Sequence, residues 1–347
     1  MTFKREIVAH ATEAEWLEAR KGFITSTEAA ALFGAGAYVK TPYELWAIKA
    51  GVVPSNEVED SDRLRWGRRL EGVIAAGIAE DLGLIAEPYK VFITMPEFRM
   101  GSSFDWIVTG IAADFDGDNE ARRMFREHGA GLLEIKNLDS LQFKRAWDVD
   151  GEHVEAPVQI EAQVQWQMEV ADKPWSILCP LIGGNTTKPI IRVRDHAFGA
   201  AAREKSADLW RRVHAMAPPQ PDFTKDAATI AKVYQDNDGS SIDLSDNPRV
   251  LALAKAYKKA GAEEKAAKEA KDAAKAELLT IIEHAKSVAA GPFKISAGTN
   301  NPTVRKAYFR DGYQRVTITL TDVPASEVEA SEVPAFRNFR LSGGEAA

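Results

Sequence analysis

The sequence predicts an α/β (α+β) fold in which a mixed central sheet is flanked by helices. Segments with helical periodicity are interleaved with short runs rich in β-branched and aromatic residues between residues 14 and 215. Clustered prolines in APPQPDFT, residues 217–224, separate this region from a stretch dense in Ala, Lys and Glu. We therefore expect a core domain followed by a C-terminal long-helix module and a small β element.

Three helices are predicted before residue 51 and a longer one after it. The first three correspond to EAEWLEARKG, TEAAALFG and YELWAIKAG, the last beginning at Pro42 with Thr41 as its N-cap. The longer helix runs from Ser61 to Leu82 and is terminated by Gly83. The residues expected to share its buried face are Trp66, Leu70, Val73, Ile74, Gly77 and Ile78.

Strands are predicted from Tyr89 to Lys136, where short β-branched and aromatic runs replace the helical pattern. The strand segments are KVFIT, FRMGSS, DWIVTG and GLLEIKN, with a long charged loop between Gly110 and Gly131. A helix from Glu155 to Asp172, the strands WSILCPLIGG and PIIRVRD, and a helix from His196 to Met216 complete the predicted core.

Five regions are predicted along the chain. They are a core at 1–217, a linker at 218–245, a Lys/Ala/Glu-rich helical segment at 246–289, a small β element at 290–324 and a disordered tail at 325–347. The large apolar residues of the helical segment lie only near its two ends. A hairpin turning near Gly261, one long exposed helix and a coiled coil therefore all remain open.

Composition limits the classes of protein that fit. Cys179 is the only cysteine, so no intrachain disulfide can form and a reducing compartment is expected. No apolar run of membrane-spanning length occurs, and the polar N-terminal segment does not predict a signal peptide. The net charge of -7 argues against non-specific coating of nucleic acid. However, residues 249–320 carry 14 Lys and Arg against 7 Asp and Glu, so the rest of the chain sums to -14.

The segment GLLEIKN puts a carboxylate and an amine on one face of a predicted strand. Leu132, Glu134 and Lys136 share that face because successive side chains of a strand alternate. Taken alone, Glu134 and Lys136 are more simply explained as a solvent face with a weak ion pair.

Asp105 changes that interpretation because it begins the apolar strand that precedes them. A single Asp at the start of a strand usually serves a turn. An acid on one strand with an acid and a lysine on the next, however, offers the oxygen ligands that Mg²⁺ prefers. Such a set suits phosphodiester hydrolysis. Lys136 could act on the metal-bound water, by orienting or deprotonating it, or it could stabilise the developing charge.

Several segments, in the same order, resemble the YqaJ viral recombinase and phage lambda exonuclease family of PD-(D/E)xK nucleases. They are RKGFITSTEAA, RWGRRLEG, SSFDW, LLEIK and EAQVQWQMEV, and the resemblance spans residues 14–215. The resemblance implies a restriction-endonuclease-like core and a nuclease that degrades linear double-stranded DNA from 5′ to 3′, leaving single strands for phage-type recombination. It also implies two-metal hydrolysis with two Mg²⁺ or Mn²⁺ ions.

The resemblance carries roles over to particular residues. It assigns the metal ions to Glu71, Asp105, Glu134 and, through its backbone carbonyl, Ile135. Lys136 matches the catalytic lysine, and Gln163 matches the first glutamine of the family's AQVQ helix. Glu71 could instead be an exposed helix residue. Gln163 could belong to a polar helix edge with Gln159 and Gln167.

The resemblance also implies a pocket for the 5′-terminal phosphate, built from an arginine and hydroxyl groups. The matching residues are Arg20, Ser26, Thr27 and Ser103. Such groups suit a phosphate, since arginine forms bidentate contacts and hydroxyls donate hydrogen bonds. Ser26 or Thr27 could equally cap the helix that follows, and the two roles are compatible.

Two features depart from the family pattern. Phe104 stands where the family has proline and Trp106 where it has glycine, so the turn that bears Asp105 must be built differently. Trp106 is expected to pack in the core rather than to stack on a DNA base. The loop between Gly110 and Gly131 is also longer than the family pattern predicts.

Two other functions remain open at this level. One is a DNA-end-binding or recombination-adaptor protein with little or no cleavage, and the other is an endonuclease of the same fold. The expected partners are double-stranded DNA ends, with a single-strand-annealing recombination protein and a homo-oligomer left open and no membrane. The expected location is the cytoplasm, that of the bacterial host if a phage encodes the chain.

Overall fold

Helices and strands alternate through the first 234 residues, as the sequence predicts. The structure, a computed structural model, describes residues 3–9, 12–54, 61–150, 153–236, 238–298 and 338–342. The chain divides into two units, Met1–Tyr234 and Gln235–Ala347.

The described helices are α1 (Glu13–Lys21), α2 (Pro42–Lys49), α3 (Asp62–Asp81), α4 (Glu120–His128), α5 (Ser140–Ala146), α6 (Val158–Ala171), α7 (His196–His214), α8 (Ala227–Val233) and α9 (Pro248–Ile282). Short 3₁₀ helices occur at Ala29–Phe33 and Pro96–Phe98. The described strands are β1 (Glu6–Val8), β2 (Ile24–Thr25), β3 (Leu84–Pro88), β4 (Phe92–Met95), β5 (Met100–Ser103), β6 (Trp106–Ile111), β7 (Gly131–Leu138), β8 (Asp148–Asp150), β9 (His153–Glu155), β10 (Trp175–Ile182), β11 (Thr186–Thr187), β12 (Ile190–Val193), β13 (Ser287–Ala290), β14 (Phe293–Gly298) and β15 (Asn338–Ser342).

Two sheets build the first unit. One has the strand order β1-β4-β5-β2, with β2 parallel to β5. The other has the order β11-β10-β7-β6-β3, with β12 also pairing with β10. In the second sheet β7 and β10 run parallel, whereas β6 is antiparallel to both β3 and β7. The predicted fold class, a mixed sheet flanked by helices, is confirmed.

The chain crosses from one sheet to the other at Asp105. β5 ends at Ser103 in the first sheet and β6 begins at Trp106 in the second. The antiparallel pairing of β6 with β7 then brings the start of β6 beside the middle of β7, with Trp106 opposite Leu133. The fold therefore brings the predicted acidic residue next to the predicted ExK strand.

β7 contributes to two separate regions of the core. Leu132 belongs to the larger apolar cluster, whereas Leu133 and Ile135 belong to the cluster that also contains Ile74 and Ile78 of α3. This is the alternation that the sequence predicts for a strand covered on both faces.

The buried face of α3 contains fewer residues than the apolar pattern predicts. Ser61 accepts a hydrogen bond from the Leu64 backbone, which starts the helix. Ile74 and Ile78 are buried as expected, but Trp66 and Val73 are 52% and 72% exposed. The contacts of α3 are with β3 and β7. The predicted buried face is therefore wrong for Trp66, Val73 and Gly77, all of which are exposed.

The predicted loop between Gly110 and Gly131 contains a helix, so that prediction is wrong for Glu120–His128. Asn119 caps α4 by accepting a hydrogen bond from the backbone of Arg122. The buried Arg122 guanidinium donates to the carbonyl of Gly83 at 2.9 Å. Ala121, Met124 and Phe125, spaced as one face of a helix, pack on the apolar cluster that also contains Ile74 and Ile78, so α4 is held by apolar as well as polar contacts.

The first unit extends beyond the predicted domain end at residue 217. α8 lies inside the segment predicted to be a linker, and it contacts α2. The hydroxyl of Thr41 donates to the carboxylate of Asp226, and both residues are buried. The linker prediction is therefore wrong up to Tyr234. The buried contact with Thr41, a hydrogen bond from Lys225 to the Gly34 carbonyl and the packing of Val233 on the apolar core hold this segment in place.

The second unit contains one long helix and a small sheet. α9 continues through Gly261, so the hairpin alternative is wrong. β13 and β15 pair with β14 on its two sides, and Ile282, Ile295 and Ala297 form a small apolar cluster. β15 lies in the tail predicted to be disordered, which corrects that prediction for Asn338–Ser342. The strand predicted in QRVTITLT, residues 314–321, lies outside the described residues.

No helix among the described residues is both long enough and apolar enough to cross a membrane.

Candidate active site

Glu134 is a buried carboxylate surrounded by three side-chain donors. Its side chain is 4% exposed, and Oε1 accepts hydrogen bonds from Lys136 Nζ at 2.5 Å and from Gln163 Nε2 at 2.6 Å. Its other oxygen, Oε2, accepts from Gln167 Nε2 at 2.7 Å. A charged group this deep in the protein requires such partners, and the three donors hold the carboxylate in one orientation.

Asp105 faces Glu134 from the junction of the two sheets. Its Oδ2 accepts a hydrogen bond from the backbone nitrogen of Ile135 at 3.0 Å. Burial and the negative charge of Glu134 raise the pKa of Asp105 to about 8, although Lys136 and the Ile135 hydrogen bond act in the opposite direction. Without a further cation, the protonated form of Asp105 is therefore favoured near neutral pH.

Lys136 lies between the two acids and Gln163. Its Nζ also donates to Gln163 Oε1 at 3.1 Å. Burial alone lowers the pKa of Lys136, but the negative charges of Glu134 and Asp105 outweigh this effect, and the pKa lies above its ordinary value. Lys136 is thus a fixed positive charge in this arrangement. Of the two roles that the sequence leaves open for it, stabilising negative charge fits better than accepting a proton.

The backbone of Ile135 also faces Asp105. The β6–β7 pairing ends where Trp106 lies opposite Leu133, so Ile135 is free of β6 and bonds to the Asp105 side chain instead. Because the N–H and C=O of one strand residue point to the same edge of the strand, the Ile135 carbonyl is directed towards the same side as Asp105. This orientation is compatible with the metal-ligand role that the resemblance implies.

Glu71 lies beside this group but has its own counter-ion. Its side chain is 22% exposed, and Lys90 Nζ lies 2.5 Å from its Oε1. The negative charge of Glu71 contributes to the raised pKa of Asp105, which places the two carboxylates in electrostatic contact. Glu71 is therefore neither a fully exposed helix residue nor a member of the Glu134 hydrogen-bond network.

Three of the four residues predicted for the 5′-phosphate lie around one corner of the first sheet. Arg20 stacks over the ring of Trp16 at 4.3 Å, and Trp16 Nε1 donates to Ser103 Oγ at 2.9 Å. Burial lowers the pKa of Arg20, partly offset by the charge of Glu28. Thr27 reaches the same sheet through its hydroxyl, which lies 3.2 Å from that of Thr25 on β2. These three residues therefore lie close to Asp105, because Ser103 is only two positions before it in the chain.

The capping role that was open for Ser26 or Thr27 is not observed. The residue at the N-cap of the 3₁₀ helix is Glu28, and no side chain caps its first turn. The Glu28 carboxylate instead accepts hydrogen bonds from the backbone nitrogen and the hydroxyl of Thr25. It also forms an ion pair with Lys49. Ser26 is buried beside Thr25, adjacent to the proposed phosphate corner.

Sequence reasoning missed Gln167 and Lys90 at this site. Gln167 is noticeable only as part of a row of glutamines spaced four residues apart, a pattern that a polar helix edge also produces. Lys90 lies at a strand boundary and carries no motif. Their contacts with Glu134 and Glu71 depend on how α6, α3 and the strands pack, which local sequence does not encode.

The donor set was tested for its fit to a divalent cation. In the described part of the chain, no three acidic, imidazole or thiolate side chains form a ready-made metal cluster. Two observations nevertheless fit a cation: the pKa of Asp105 is raised by burial and by neighbouring acids, and the buried Gln167 Oε1 has no hydrogen-bond donor among the described residues. Carboxylate and carbonyl oxygens are the ligands that Mg²⁺ and Mn²⁺ favour.

Similarity to known protein families covers the region that carries these residues. Residues 15–174 match the family model described as the YqaJ-like viral recombinase domain. The uncharacterized protein YqaJ of Bacillus subtilis (strain 168) is 30% identical over 191 residues, which make up 53% of this chain and 52% of that protein. The chain therefore spans about half the length of this curated relative.

Solved structures of exonucleases show a more distant similarity. The alkaline exonuclease LHK-Exo from Laribacter hongkongensis is 19% identical, with a TM-score of 0.43, and the match covers 63% of this chain and 100% of that chain. A putative exonuclease from Eubacterium rectale is 11% identical, with a TM-score of 0.38, and the match covers 70% of this chain and 99% of that chain.

All the site residues named above, from Arg20 to Gln167, lie inside the segment matched by the family model. Residues 15–174 are therefore similar to the YqaJ-like viral recombinase domain, over somewhat less than half of the chain.

Proposed function

We propose that this chain is a Mg²⁺- or Mn²⁺-dependent exonuclease that degrades linear double-stranded DNA from 5′ to 3′ and leaves single strands for recombination. The observation that carries the proposal is the convergence of Asp105, Glu134 and Lys136 across the β6–β7 pair. Two acids and a fixed ammonium group, next to a hydroxyl- and arginine-lined corner, suit the hydrolysis of a phosphodiester. The similarity of residues 15–174 to the YqaJ-like viral recombinase domain supports the same reaction class.

Asp105 and Glu134 are the proposed metal ligands, with the Ile135 carbonyl and Glu71 as further oxygen donors. Bound divalent cations would supply Lewis-acid chemistry, polarising a phosphoryl oxygen and lowering the pKa of water. The protein contributes the orientation of these ligands: Gln163 and Gln167 hold Glu134, and the Ile135 N–H holds Asp105. Partners of this kind keep ligands in place and tune their basicity.

Lys136 is the proposed catalytic lysine. Its raised pKa keeps the ammonium protonated across the physiological pH range, so it stabilises negative charge that develops on the phosphate. Gln163 contacts both Glu134 and Lys136, and so fixes the distance between the acid and the cation.

The 5′ polarity rests on the corner formed by Arg20, Ser26, Thr27 and Ser103. A terminal phosphate carries more negative charge than an internal one, and a partly buried arginine with nearby hydroxyls discriminates in its favour. Because Ser103 is two residues from Asp105, a phosphate bound here would leave the next phosphodiester near the two acids.

Cleavage assays test the enzyme class. Linear duplexes with 5′-phosphate or 5′-hydroxyl ends and a closed circular duplex would be incubated with Mg²⁺, Mn²⁺ or EDTA. The wild-type chain is expected to degrade the linear duplexes only with metal, and Lys136→Ala and Glu134→Gln are expected to lose this activity. Lys4→Ala is the control, since Lys4 is paired with Glu6 on β1 and has no contact with the site. Metal-dependent cleavage that survives in both site variants would contradict the assignment.

Metal binding is tested without catalysis by thermal unfolding. A ligand that binds only the folded state raises the melting temperature. Mn²⁺ is expected to raise the melting temperature of the wild-type chain and of Lys4→Ala, but not that of Asp105→Asn. An equal rise in Asp105→Asn would place the bound metal elsewhere.

Polarity is tested by comparing the two kinds of duplex end. Arg20→Ala is expected to reduce the preference for 5′-phosphate over 5′-hydroxyl ends, while the rate on 5′-hydroxyl ends changes little. Rapid cleavage of the closed circle would favour an endonuclease of the same fold, and binding of ends without cleavage would favour the adaptor function.

A further inference from the structure

Lys90 is a second ammonium group at the candidate site, for which the catalytic arrangement described above provides no role. It lies on the connection between β3, which ends at Pro88, and β4, which begins at Phe92. Its Nζ is 2.5 Å from Glu71 Oε1, and its side chain is 62% exposed. It is therefore an accessible cation beside a proposed metal ligand.

The backbone around Lys90 is fixed next to Asp105. The backbone nitrogen of Tyr89 donates to the carbonyl of Asp105 at 3.0 Å, and Val91 N donates back to Tyr89 O at 2.9 Å. Pro88, immediately before this turn, lies opposite Trp106 in the β3–β6 pair. The base of the Lys90 side chain is thus held beside the residue that begins β6, while its long side chain remains free to change direction.

The ion pair with Glu71 is of a kind that separates easily. An ammonium group that is more than half exposed is screened by water, and holding it in one place costs side-chain entropy. If Glu71 accepts a metal ion, the cation also repels the ammonium group. Lys90 then needs another anion within reach of its flexible side chain.

The proposed substrate provides that anion. A DNA strand whose phosphodiester lies at Asp105 and Glu134 carries further phosphates along its backbone, at spacings comparable to the reach of a lysine side chain. A lysine binds phosphate as a point charge without a strict geometry. The site also contains three acidic groups, Asp105, Glu134 and Glu71, which repel a polyanion. An additional cation offsets part of this repulsion when DNA binds.

We propose that Lys90 moves from Glu71 to a phosphate of the bound DNA strand, and so serves as a DNA-contacting lysine in addition to Lys136. This inference rests on the proposed function, because it requires that DNA enters the site. Lys90 is a substrate-binding residue in this account, and Glu71 holds it in the DNA-free protein.

The experiment measures DNA affinity against salt concentration with Ca²⁺ in place of Mg²⁺, so that the acidic groups can still hold a divalent cation, and at times at which the labelled duplex remains uncleaved. A fluorescent duplex with a 5′-phosphate would be titrated with the full chain at several KCl concentrations. Each phosphate neutralised by a lysine contributes about 0.9 to the slope of log K against log salt. Lys90→Ala is therefore expected to weaken binding about tenfold at low salt and to flatten the slope by about one unit.

Three further variants separate contact from structure. Lys90→Arg keeps the charge and is expected to restore the slope. Lys4→Ala removes another exposed lysine from an ion pair, with Glu6, and is expected to leave the slope unchanged. Glu71→Gln frees Lys90 from its ion pair and is therefore expected to change DNA affinity. The change caused by Glu71→Gln is expected to be smaller when Lys90→Ala is also present, because there is then no lysine to free.

The outcomes distinguish this inference from the proposed function. If the wild-type chain binds the duplex and Lys90→Ala keeps the full slope, Lys90 does not contact DNA, and the inference is overturned while the nuclease assignment stands. If Lys90→Ala changes the melting temperature but not the slope, its role is structural and the inference also fails. If the wild-type chain neither binds nor cleaves DNA, both are overturned.

Discussion

At the scale of single residues, Gln167 determines how Glu134 is presented. It donates to Glu134 Oε2 at 2.7 Å and also approaches the carbonyl of Ser103 at 3.4 Å. It therefore links α6, β7 and the end of β5 at Glu134, the most deeply buried carboxylate of the site. A side chain of this kind acts on chemistry through the residue that it positions.

Replacing Gln167 should lower activity without unfolding the protein. Gln167→Met keeps the size of the side chain but removes the donor, so Glu134 loses one of its three partners. We expect kcat, or metal affinity measured by Mn²⁺ titration, to fall by about 10- to 100-fold. The control is Gln159→Met, two helical turns earlier on α6, which should change both quantities little. Equal effects of the two changes would argue against a positioning role.

Cys179 should be inert towards thiol reagents in the native protein. It is fully buried in β10, and burial raises the pKa of its thiol to about 12. The thiolate is the reactive species and is scarce well below that pH. Labelling with a disulfide reagent at pH 8 is expected to be negligible, and to become complete after unfolding in guanidinium. Rapid native labelling would show that β10 opens.

The site residues differ in how far the sequence predicts them. Glu134 and Lys136 follow from strand alternation, and Asp105 from its place at the start of the preceding strand, so their convergence requires only that β6 pairs with β7. Gln167 and Lys90 are brought to the site by helix packing and by an irregular connection. Neither of these leaves a periodic signal in the chain.

At the scale of elements, the start of β7 tolerates only glycine. A Cβ atom added at Gly131 would lie 2.3 Å from the ring of Trp175, which is fully buried in β10. The parallel pairing of β7 with β10 begins at the next residue, Leu132. The close approach of backbone and indole therefore helps to set the register of the strand that carries Glu134 and Lys136.

Substitutions of two glycines should shift stability in opposite directions. Gly131→Ala must displace Trp175 and is expected to lower the free energy of unfolding by about 1–3 kcal/mol. Gly77→Ala lies in the middle of α3 with no atom near its added Cβ, and should raise the free energy by about 0.5–1 kcal/mol. Urea unfolding followed by circular dichroism would measure both. Stabilisation by Gly131→Ala would mean that β7 and β10 are less closely packed than described.

Elements with long periodic patterns are predicted more successfully than those held by a few polar contacts. α3, α6 and α7 begin and end close to their predicted limits. Ser61 and Asp195 cap α3 and α7, and α6 begins directly after Pro157 without a side-chain cap. α4 and α8 are missed because the contacts that hold them, from Arg122 and Asp226, are made with residues distant in sequence. Short segments of this kind resemble loops in composition.

At the scale of the whole molecule, the residues of the proposed active site all belong to one of the two units. All residues assigned to metal, phosphate or catalysis lie within Met1–Tyr234. The second unit contributes the basic helix α9, most of whose side chains are exposed. Catalysis and any function of α9 should therefore be separable.

A fragment ending at Tyr234 should fold and keep the metal-dependent cleavage. We expect its circular dichroism to show a cooperative thermal transition and its specific activity on short duplexes to be within a few-fold of the full chain. A fragment ending at Ala217, the limit predicted from sequence, lacks Asp226 and should melt at a lower temperature. If the two fragments are equally stable, the contact between Thr41 and Asp226 contributes little.

The contact between Thr41 and Asp226 also has a consequence for biosynthesis. The two residues are 185 positions apart, and a ribosome takes roughly 10 to 40 s to add that many residues. In the later part of this interval the nascent chain already contains β6 and β7. Asp226, whose carboxylate joins α2 to α8, has not yet been synthesised. The final closure of the first unit therefore follows translation of the strands that bear Asp105, Glu134 and Lys136.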